Sequence, residues 1–349
     1  MNENSHRYKL TIFILSKDKN LVLKRLLEYW KDSGFRIVVL HETRTPINIY
    51  GQDSSVLYLP TCDPLLDRIQ KMSALVETDY VLISPDDEVF SITSIINGIR
   101  FLDENPDFSA VSGQTVAVSK YANQNNYFSI YRNYLGFETS SEDSIGRMRE
   151  SFEKTNGIMG IGAPYRIMRR NLFTNYMEAI RELSPLNCSY LYEVLAEVYQ
   201  HIHGKVKIFD NVFWIRNWII PSATDTNRNF YYFQWWESPV YTMERHLLVN
   251  LLRRQYHRLS AKDLDEILLM AYSSRKKAEM LEYKRLLSQK KILKRFKRKF
   301  NRYTFIQSMN FLHESNSIGD LQKQLNKNQI RFDKKELLNL ANFVINLEI

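Results

Sequence analysis

Three successive acidic residues are the part of the sequence best suited to chemistry. Asp86, Asp87 and Glu88 follow Pro85 and the apolar run 81–84, VLIS. If that run is a buried strand, the acids stand at its carboxyl end, where open α/β sheets bind their ligands. Carboxylates at such an edge suit Mg²⁺ or Mn²⁺ held against a diphosphate. The alternative is a solvated acidic turn that caps the next helix, because Asp and Glu are favoured at helix N-termini.

The first hundred residues alternate short apolar runs with helical patterns. The sequence predicts strands at 8–15, 36–40, 56–59 and 80–84, and helices at 64–76 and around Leu23, Leu26, Leu27 and Trp30. This alternation is typical of βαβ units with a mainly parallel sheet. The acidic motif would then follow the fourth strand of that sheet.

The rest of the chain divides at about residue 240. The pattern predicts helices at 92–105 and 189–202, strands at 108–116, 163–168 and 205–214, and long loops over 120–153. From residue 243 the periodicity is helical almost to the end. We therefore predict two units, an α/β domain at 1–240 and an α-helical region at 241–349, which could bind a membrane or a partner.

The acidic motif and its flanking elements resemble those of a known family. The segment from Lys71 to Glu88 resembles the helix, strand and DxD-type motif of inverting, family-2-like bacterial glycosyltransferases, and 101–113 resembles the next helix and strand of that family. The likeness covers roughly residues 8 to 220. It implies a GT-A catalytic domain, with a Rossmann-like, mainly parallel mixed sheet flanked by helices. It also implies sugar transfer from a nucleotide-sugar donor, with Mn²⁺ or Mg²⁺ held by Asp86, Asp87 and Glu88.

The resemblance also assigns residues to the nucleotide. The loop after the first strand contacts the nucleotide in that family, which implicates Ser16, Lys17 and Asp18 here. An acid at the end of the second strand contacts base or ribose, which implicates Glu42, and Asp86 joins this set. The ending 41–44 (HETR) departs from the family's usual acidic and glycine-containing pattern, so the base stays open.

Basic residues are the candidates for the diphosphate. Arg68 and Lys71 share one i, i+3 face of the helix before the motif, and Arg216 follows the last predicted strand. The resemblance implies that the first two face the diphosphate and that Arg216 contacts diphosphate or acceptor. An ordinary solvated helix face is the alternative for Arg68 and Lys71.

A general base must remove the proton of the acceptor hydroxyl in an inverting transfer. The family places an Asp or Glu near the start of a helix after the acceptor-side strands, and Glu193 matches that position. Glu197 lies one turn further on the same face and is the second candidate. Exposed helix acids without a catalytic role are the alternative for both.

Two other segments are open to more than one interpretation. The glycine run 157–163 precedes a predicted strand instead of following one, so we interpret it as an acceptor-site loop and not as a dinucleotide-binding motif. The aromatic run 229–236 could stack on sugars or pack the helical region onto the first domain.

The charge is concentrated near the C-terminus. Of a net charge of +9, most of the excess falls in 284–302, which holds ten Lys or Arg interleaved with Leu, Ile and Phe. A basic amphipathic helix of this kind suits an anionic membrane surface and a lipid-linked acceptor. A stripe packed on the protein is the alternative. Nucleic-acid binding is the rival function, although no helix-turn-helix, RNA-recognition or zinc motif accompanies the charge.

The remaining expectations concern partners and compartment. No apolar run reaches eighteen residues, the N-terminus lacks a secretory pattern, and Cys62 and Cys188 lack metal-type spacing. We predict a cytoplasmic protein, able to lie on the inner face of the plasma membrane. The expected donor is a nucleotide-sugar, a UDP-sugar first, and the expected acceptor a glycan or lipid-linked glycan in bacterial surface polysaccharide or glycoconjugate synthesis. A nucleotidyltransferase and a non-catalytic sugar-binding relative are the further alternatives.

Overall fold

Ten strands form one sheet at the centre of the computed structural model. The structure describes residues 4–47, 55–120, 126–131, 136–154, 162–183, 190–217, 238–257, 259–270, 273, 311–315 and 317–346. Within these residues the strands are β1 (Leu10–Lys17), β2 (Arg36–Glu42), β3 (Val56–Thr61), β4 (Tyr80–Pro85), β5 (Val89–Phe90), β6 (Phe108–Lys120), β7 (Asn126–Tyr131), β8 (Ile167–Arg169), β9 (Lys205–Asn217) and β10 (Phe311–Ser315).

Helices cover the sheet. In chain order they are α1 (Asn4–Arg7), α2 (Asn20–Trp30), α3 (Leu65–Leu75), α4 (Ile92–Glu104), α5 (Ser144–Lys154), α6 (Arg170–Leu183), α7 (Tyr190–His203), α8 (Pro239–Gln255), α9 (261–270), α10 (Ile318–Lys327) and α11 (Lys334–Ile345). A short 3₁₀ turn at Ala163–Tyr165 precedes β8. No described helix is both long enough and apolar enough to span a membrane.

The strands β1 to β4, which come first in the sequence, pair in parallel, whereas the later strands pair in a mixed arrangement. Its main order is β10-β7-β6-β8-β4-β1-β2-β3, and β9 pairs with β5 and β6. The pairs β1–β2, β2–β3 and β1–β4 are parallel, whereas β8 is antiparallel to both β4 and β6. The predicted fold class, a mixed α/β sheet flanked by helices, is therefore confirmed.

The register brings three strand ends to one edge. Ser16 of β1 lies opposite His41 of β2, and Leu15 of β1 lies opposite Pro85 of β4. The residues that follow β1, β2 and β4 thus meet at the carboxyl edge of the parallel half, where ligands bind in open α/β sheets. This edge contains the acidic motif.

Both faces of β1, β2 and β4 are buried, which explains their almost continuous apolar sequence, whereas the edge strand β3 is partly exposed. On β1, Phe13 belongs to one core cluster and Ile12 and Ile14 to the other, so alternate side chains enter opposite layers. Helix α2 covers one of these layers with the face predicted from its spacing, including Leu23 and Trp30. Full burial of each large apolar side chain contributes roughly 1.5–3 kcal/mol, so these layers hold the site edge rigidly.

Two regions of the second half differ from the prediction. The sequence pattern does not predict helix α6, although Leu172, Tyr176, Ile180 and Leu183 follow a helical period and are buried. The region 120–153, predicted as long loops with short elements, contains β7 and most of the eleven-residue helix α5. The helical pattern of α6 is therefore present in the sequence and the prediction overlooked it, whereas β7 is ordered by its pairing with β6 and β10.

The C-terminal residues described from 311 onward belong to the same core as the sheet. Strand β10 pairs with β7, and the backbone N–H of Arg331 donates to the carbonyl of Asp210 at 2.6 Å. Leu321 of α10 and Leu340 of α11 join the core cluster that contains β1 and β4 residues. The expected α-helical character of 241–349 holds for α10 and α11, whereas β10 is a strand, and the division of the chain at residue 240 stays a prediction. The basic segment 284–302, the aromatic run 229–236 and residues 157–161 of the glycine run lie outside the described residues.

Candidate functional site

The acidic motif is a buried turn between β4 and β5. Asp86, Asp87 and Glu88 are 6%, 8% and 5% exposed, so they are not a solvated turn. The cap of the following helix α4 is Ser91, whose hydroxyl accepts the backbone N–H of Ser94 at 3.0 Å. The alternative that the acids form a solvated cap is therefore wrong. Three carboxylates buried together need cationic or hydrogen-bonding partners.

Lys19 is the partner of the first two acids. Its Nζ lies 3.1 Å from Oδ1 of Asp86 and 2.9 Å from Oδ2 of Asp87, and the hydroxyl of Ser16 donates to Oδ2 of Asp86 at 2.8 Å. Burial lowers the pKa of Lys19, but the charges of Asp86 and Asp87 outweigh burial and raise that pKa. The lysine therefore stays protonated at neutral pH.

Arg216 is the partner of the third acid. Its Nε lies 3.2 Å from Oε1 of Glu88, and its guanidinium lies 4.8 Å from the ring centroid of Trp214 and donates to the hydroxyl of Tyr131 at 3.1 Å. Burial raises the pKa of Glu88 to about 7, although the charge of Arg216 opposes this rise. Arg216 thus lies at the predicted edge, facing Glu88.

A second ion cluster lies beside the first, at the end of β2. Glu42 pairs with Lys17 at 2.6 Å and with Arg68 at 2.7 Å. Arg68 is 2% exposed, and it donates to the carbonyls of Ser16 at 2.6 Å and Leu40 at 2.9 Å. Its role in this structure is to tie the ends of β1 and β2 together and to fix Glu42.

The structure separates Arg68 from Lys71, although both lie on α3. Arg68 turns into the sheet edge, whereas Lys71 is exposed and pairs with Asp63. The structure therefore does not bring the two side chains together, and contact of either with a diphosphate stays a prediction. The i, i+3 spacing is real, but the ends of two strands offer Arg68 buried acceptors that Lys71 does not reach.

Glu193 lies in the first turn of α7 and is half-buried. After burial, its charge is the largest cause that raises the pKa of Tyr176, and it also raises the pKa of Tyr165. Burial and the charges of Glu88 and Asp87 raise the pKa of Tyr165 as well, while Arg216 lowers it. Tyr165 is thus within electrostatic range of Glu193 and of the acidic motif, and its ring contacts Trp214, on which Arg216 stacks.

Glu197, the second candidate base, is buried and paired with neighbouring side chains. It is 1% exposed and pairs with Arg166 at 2.9 Å, while the hydroxyl of Ser151 donates to it at 2.7 Å and His201 Nε2 lies 3.1 Å away. Burial alone would raise its pKa, but Arg166 and His201 lower it to about 2. A buried carboxylate this acidic is a poor proton acceptor, so Glu197 does not substitute for Glu193.

A divalent cation does not fit these side chains in their present arrangement. Both oxygens of Asp86 are already acceptors, Lys19 occupies the space between Asp86 and Asp87, and Glu88 turns to Arg216. No group of three His, Cys, Asp or Glu within the described residues is arranged to hold a metal ion. The sequence-based expectation of Mn²⁺ or Mg²⁺ at Asp86, Asp87 and Glu88 stays a prediction, because such an ion would have to displace Lys19.

Sequence reasoning misses two residues of the site. The sequence pattern places Lys19 only in a polar turn. Its position directly before the helix that follows β1 could have indicated a residue of the site. The pattern places Tyr165 in a strand, whereas this residue ends a 3₁₀ turn, where its ring contacts Trp214 with centroids 4.8 Å apart. The proline at position 164 is the available signal, because proline is disfavoured inside central strands.

The mixed sheet flanked by helices and the buried acidic turn after β4 define an α/β protein with an ionic site at the carboxyl edge of its parallel strands. Among solved structures the chain is similar to S. aureus TarS 1-349, with TM-score 0.48 and 10% identity over 76% of this chain and 71% of that one. TarS 1-349 in complex with UDP-GlcNAc gives TM-score 0.49 and 12% identity over 76% and 72%. A longer TarS structure gives 0.45 and 14% over 74% of this chain, which spans 42% of that one. No family model matches the sequence, and no curated protein matches it significantly.

Proposed function

We propose that the chain is a glycosyltransferase that moves a sugar from a nucleoside-diphosphate sugar to a hydroxyl acceptor. The observation that carries the proposal is the buried cluster of Lys19, Asp86 and Asp87 at the carboxyl edge of β1 and β4. Buried charges cost several kcal/mol when they are removed from water, so charge clusters of this kind concentrate at functional sites. Here they lie where open α/β sheets bind nucleotides.

The donor-binding roles follow from the two ion clusters. The turn at Ser16, Lys17 and Asp18 lines the edge beside Lys19, and the carboxylate of Glu42 can accept hydrogen bonds from ribose hydroxyls or a base. Arg68 holds Glu42 in position from the buried side. UDP is the first candidate for the nucleotide, and the departure at 41–44 from the family's usual pattern leaves the base open.

Glu193 is the proposed general base. The acceptor oxygen attacks the anomeric carbon while its proton passes to the Glu193 carboxylate. The bond between the anomeric carbon and the diphosphate oxygen breaks, and its electron pair leaves with the nucleoside diphosphate. Attack from the side opposite the leaving group inverts the anomeric centre. The cations Lys19 and Arg216 lie beside the acidic motif, where negative charge develops on the departing diphosphate in the proposed reaction.

The acceptor and the membrane surface stay predictions. The cytoplasmic location rests on the sequence alone. A glycan or lipid-linked glycan acceptor and binding to the inner face of the plasma membrane depend on 284–302 and on residues 157–161 of the glycine run. Those residues lie outside the described part of the chain. Assistance by Mn²⁺ or Mg²⁺ is likewise a prediction, and the roles given above are those of the chain's own side chains.

A nucleotide titration tests the proposal. We expect one of UDP, GDP, CDP, ADP and dTDP to bind most tightly in calorimetry, and about ten-fold or more tightly than its monophosphate, since the edge binds the diphosphate through charge. Asp86→Asn should weaken binding by about ten-fold, because its amide group would oppose the donors Ser16 and Lys19.

The matched control is Asp107→Asn, which removes an exposed aspartate at the start of β6 and should leave affinity unchanged. Absence of binding by all five diphosphates would contradict the proposal and bring the nucleic-acid alternative forward. Equal effects of both substitutions would show that the nucleotide binds elsewhere.

A further inference from the structure

Lys19 occupies the position that a bound cation would take at this edge. It precedes the first residue of α2, while its acceptors Asp86 and Asp87 follow β4, so the tertiary fold alone brings them together. The side chain of Lys19 is 28% exposed, whereas the side chains alone of Asp86 and Asp87 are 8% and 12% exposed. The lysine side chain is thus more accessible to a ligand than the two carboxylates it pairs with.

The hydrogen-bonding capacity of this ammonium is not exhausted by the two acids. A lysine ammonium carries three N–H donors, and the structure directs Lys19 to one oxygen of Asp86 and one of Asp87. The third donor can serve a phosphate oxygen. Lysine binds phosphate as a compact point charge, so it needs no particular approach angle beyond contact.

The same geometry works against a resident divalent ion. A metal between Asp86 and Asp87 would need the oxygens that Lys19 now uses, while Ser16 donates to the remaining oxygen of Asp86. Mg²⁺ demands nearly octahedral oxygen coordination, which two carboxylates sharing an ammonium do not offer. The third acid, Glu88, pairs through Oε1 with Arg216.

We propose that Lys19 is the built-in cation of this site, binding the donor's diphosphate directly and taking the place of a divalent metal there. This inference rests on the proposed function, because it concerns the same nucleotide edge. Asp86 and Asp87 then hold and orient the ammonium, and do not serve as metal ligands. Lys19 also compensates the charge that develops on the departing diphosphate.

Nucleotide affinity with and without metal is the first test. In EDTA we expect the wild type to bind the preferred nucleoside diphosphate as tightly as in Mn²⁺. Lys19→Met should lose about ten- to a hundred-fold of that affinity in EDTA, the range for a charged hydrogen bond, and Mn²⁺ should restore part of it. Lys19→Arg, which keeps the charge, should retain most of the affinity and guards against misfolding of the methionine variant.

Mn²⁺ alone is the second probe. Electron paramagnetic resonance titration should detect no tight Mn²⁺ site in the wild type, and a new site in Lys19→Met, where Asp86 and Asp87 lose their cation. Lys31→Met is the matched control, since Lys31 is an exposed lysine just beyond the other end of α2. It should behave as the wild type in both titrations.

The outcomes separate this inference from the proposed function. A diphosphate that binds the wild type only with Mn²⁺, or binds Lys19→Met in EDTA as tightly as the wild type, would overturn the role of Lys19 while leaving the transferase proposal intact. Absence of binding by every nucleotide, with or without metal, would instead remove the proposed function and this inference with it.

Discussion

Glu193→Gln should lower the turnover number for sugar transfer by about 10²- to 10⁴-fold, the range for loss of a general base, while the affinity for the nucleoside diphosphate stays unchanged. The amide keeps the shape of the side chain but cannot accept a proton. Glu193 lies in the first turn of α7, and its charge acts on Tyr165 beside the acidic motif, whereas Asp86 and Asp87 are held by Lys19. Steady-state kinetics with the sugar form of the preferred nucleotide measures the effect.

The control for this variant is Glu104→Gln, which removes an exposed carboxylate at the end of α4. Its turnover should match the wild type. A Glu193→Gln enzyme that keeps wild-type turnover would contradict the assignment of the base. An equal loss of nucleotide affinity and turnover would place Glu193 in donor binding instead.

Arg166→Met should destabilise the fold by about 3–5 kcal/mol, because it leaves the carboxylate of Glu197 buried without its cation. Arg166 and Glu197 are both 2% exposed in their side chains and lie 2.9 Å apart. Arg166 follows the turn that carries Tyr165, and Glu197 lies one turn after Glu193, so the pair also fixes the two elements that bring those residues together. Denaturant unfolding measures the change in the free energy of unfolding.

Two further variants give this prediction its controls. Arg149→Met removes one partner of an exposed pair with Glu266 and should cost no more than about 1 kcal/mol. The double variant Arg166→Met with Glu197→Leu removes both buried charges and should recover most of the loss, because an apolar replacement of a buried pair is often neutral. A small loss in Arg166→Met alone would contradict the structural role of the pair.

The same pair sets a pH dependence. The pKa of Glu197 falls from an ordinary 4.5 to about 2 on folding, so its contribution to stability is fully present above pH 4.5. That contribution is lost as the pH falls from 4.5 through 2, since protonation removes the charge that Arg166 and His201 stabilise. The free energy of unfolding of Glu197→Gln, measured between pH 2 and pH 4.5, should fall less steeply with acid than that of the wild type.

The parallel half of the sheet and the acidic turn are predictable from the sequence. Strands with both faces buried leave apolar runs such as 80–84, and the helix between β1 and β2 shows its buried face in Leu23, Leu26, Leu27 and Trp30. Local pattern determines these elements, so the edge at which Asp86 lies follows from elementary topology.

The partners of the acids are not predictable in the same way. Lys19 and Asp86 are 67 residues apart, and only the parallel pairing of β1 with β4 brings them within hydrogen-bonding distance. Arg68 shows the converse: its helical spacing is correct, yet buried carbonyls at two strand ends draw it inward. Glu197 matches Glu193 in spacing but faces Arg166, a contact that depends on a 3₁₀ turn where the sequence pattern predicts a strand.

The C-terminal elements illustrate a further limit. Strand β10 is five residues long and joins the sheet edge beside β7, far from its neighbours in sequence. Its alternation is too short to be distinguished from the helical periodicity around it. Long-range strand pairing of this kind leaves little local signal in the sequence. The helices α10 and α11, in contrast, could be predicted from the spacing of their apolar residues.

A crystal structure of the chain with its preferred nucleoside diphosphate tests the central claim most directly. The diphosphate should lie at the carboxyl edge of β1 and β4, with an oxygen within hydrogen-bonding distance of Lys19 Nζ, the ribose beside Glu42, and the open side of the terminal phosphate toward Glu193. A nucleotide bound away from this edge, or an empty edge in crystals grown at saturating nucleotide, would contradict the assignment of the acidic turn as the donor site.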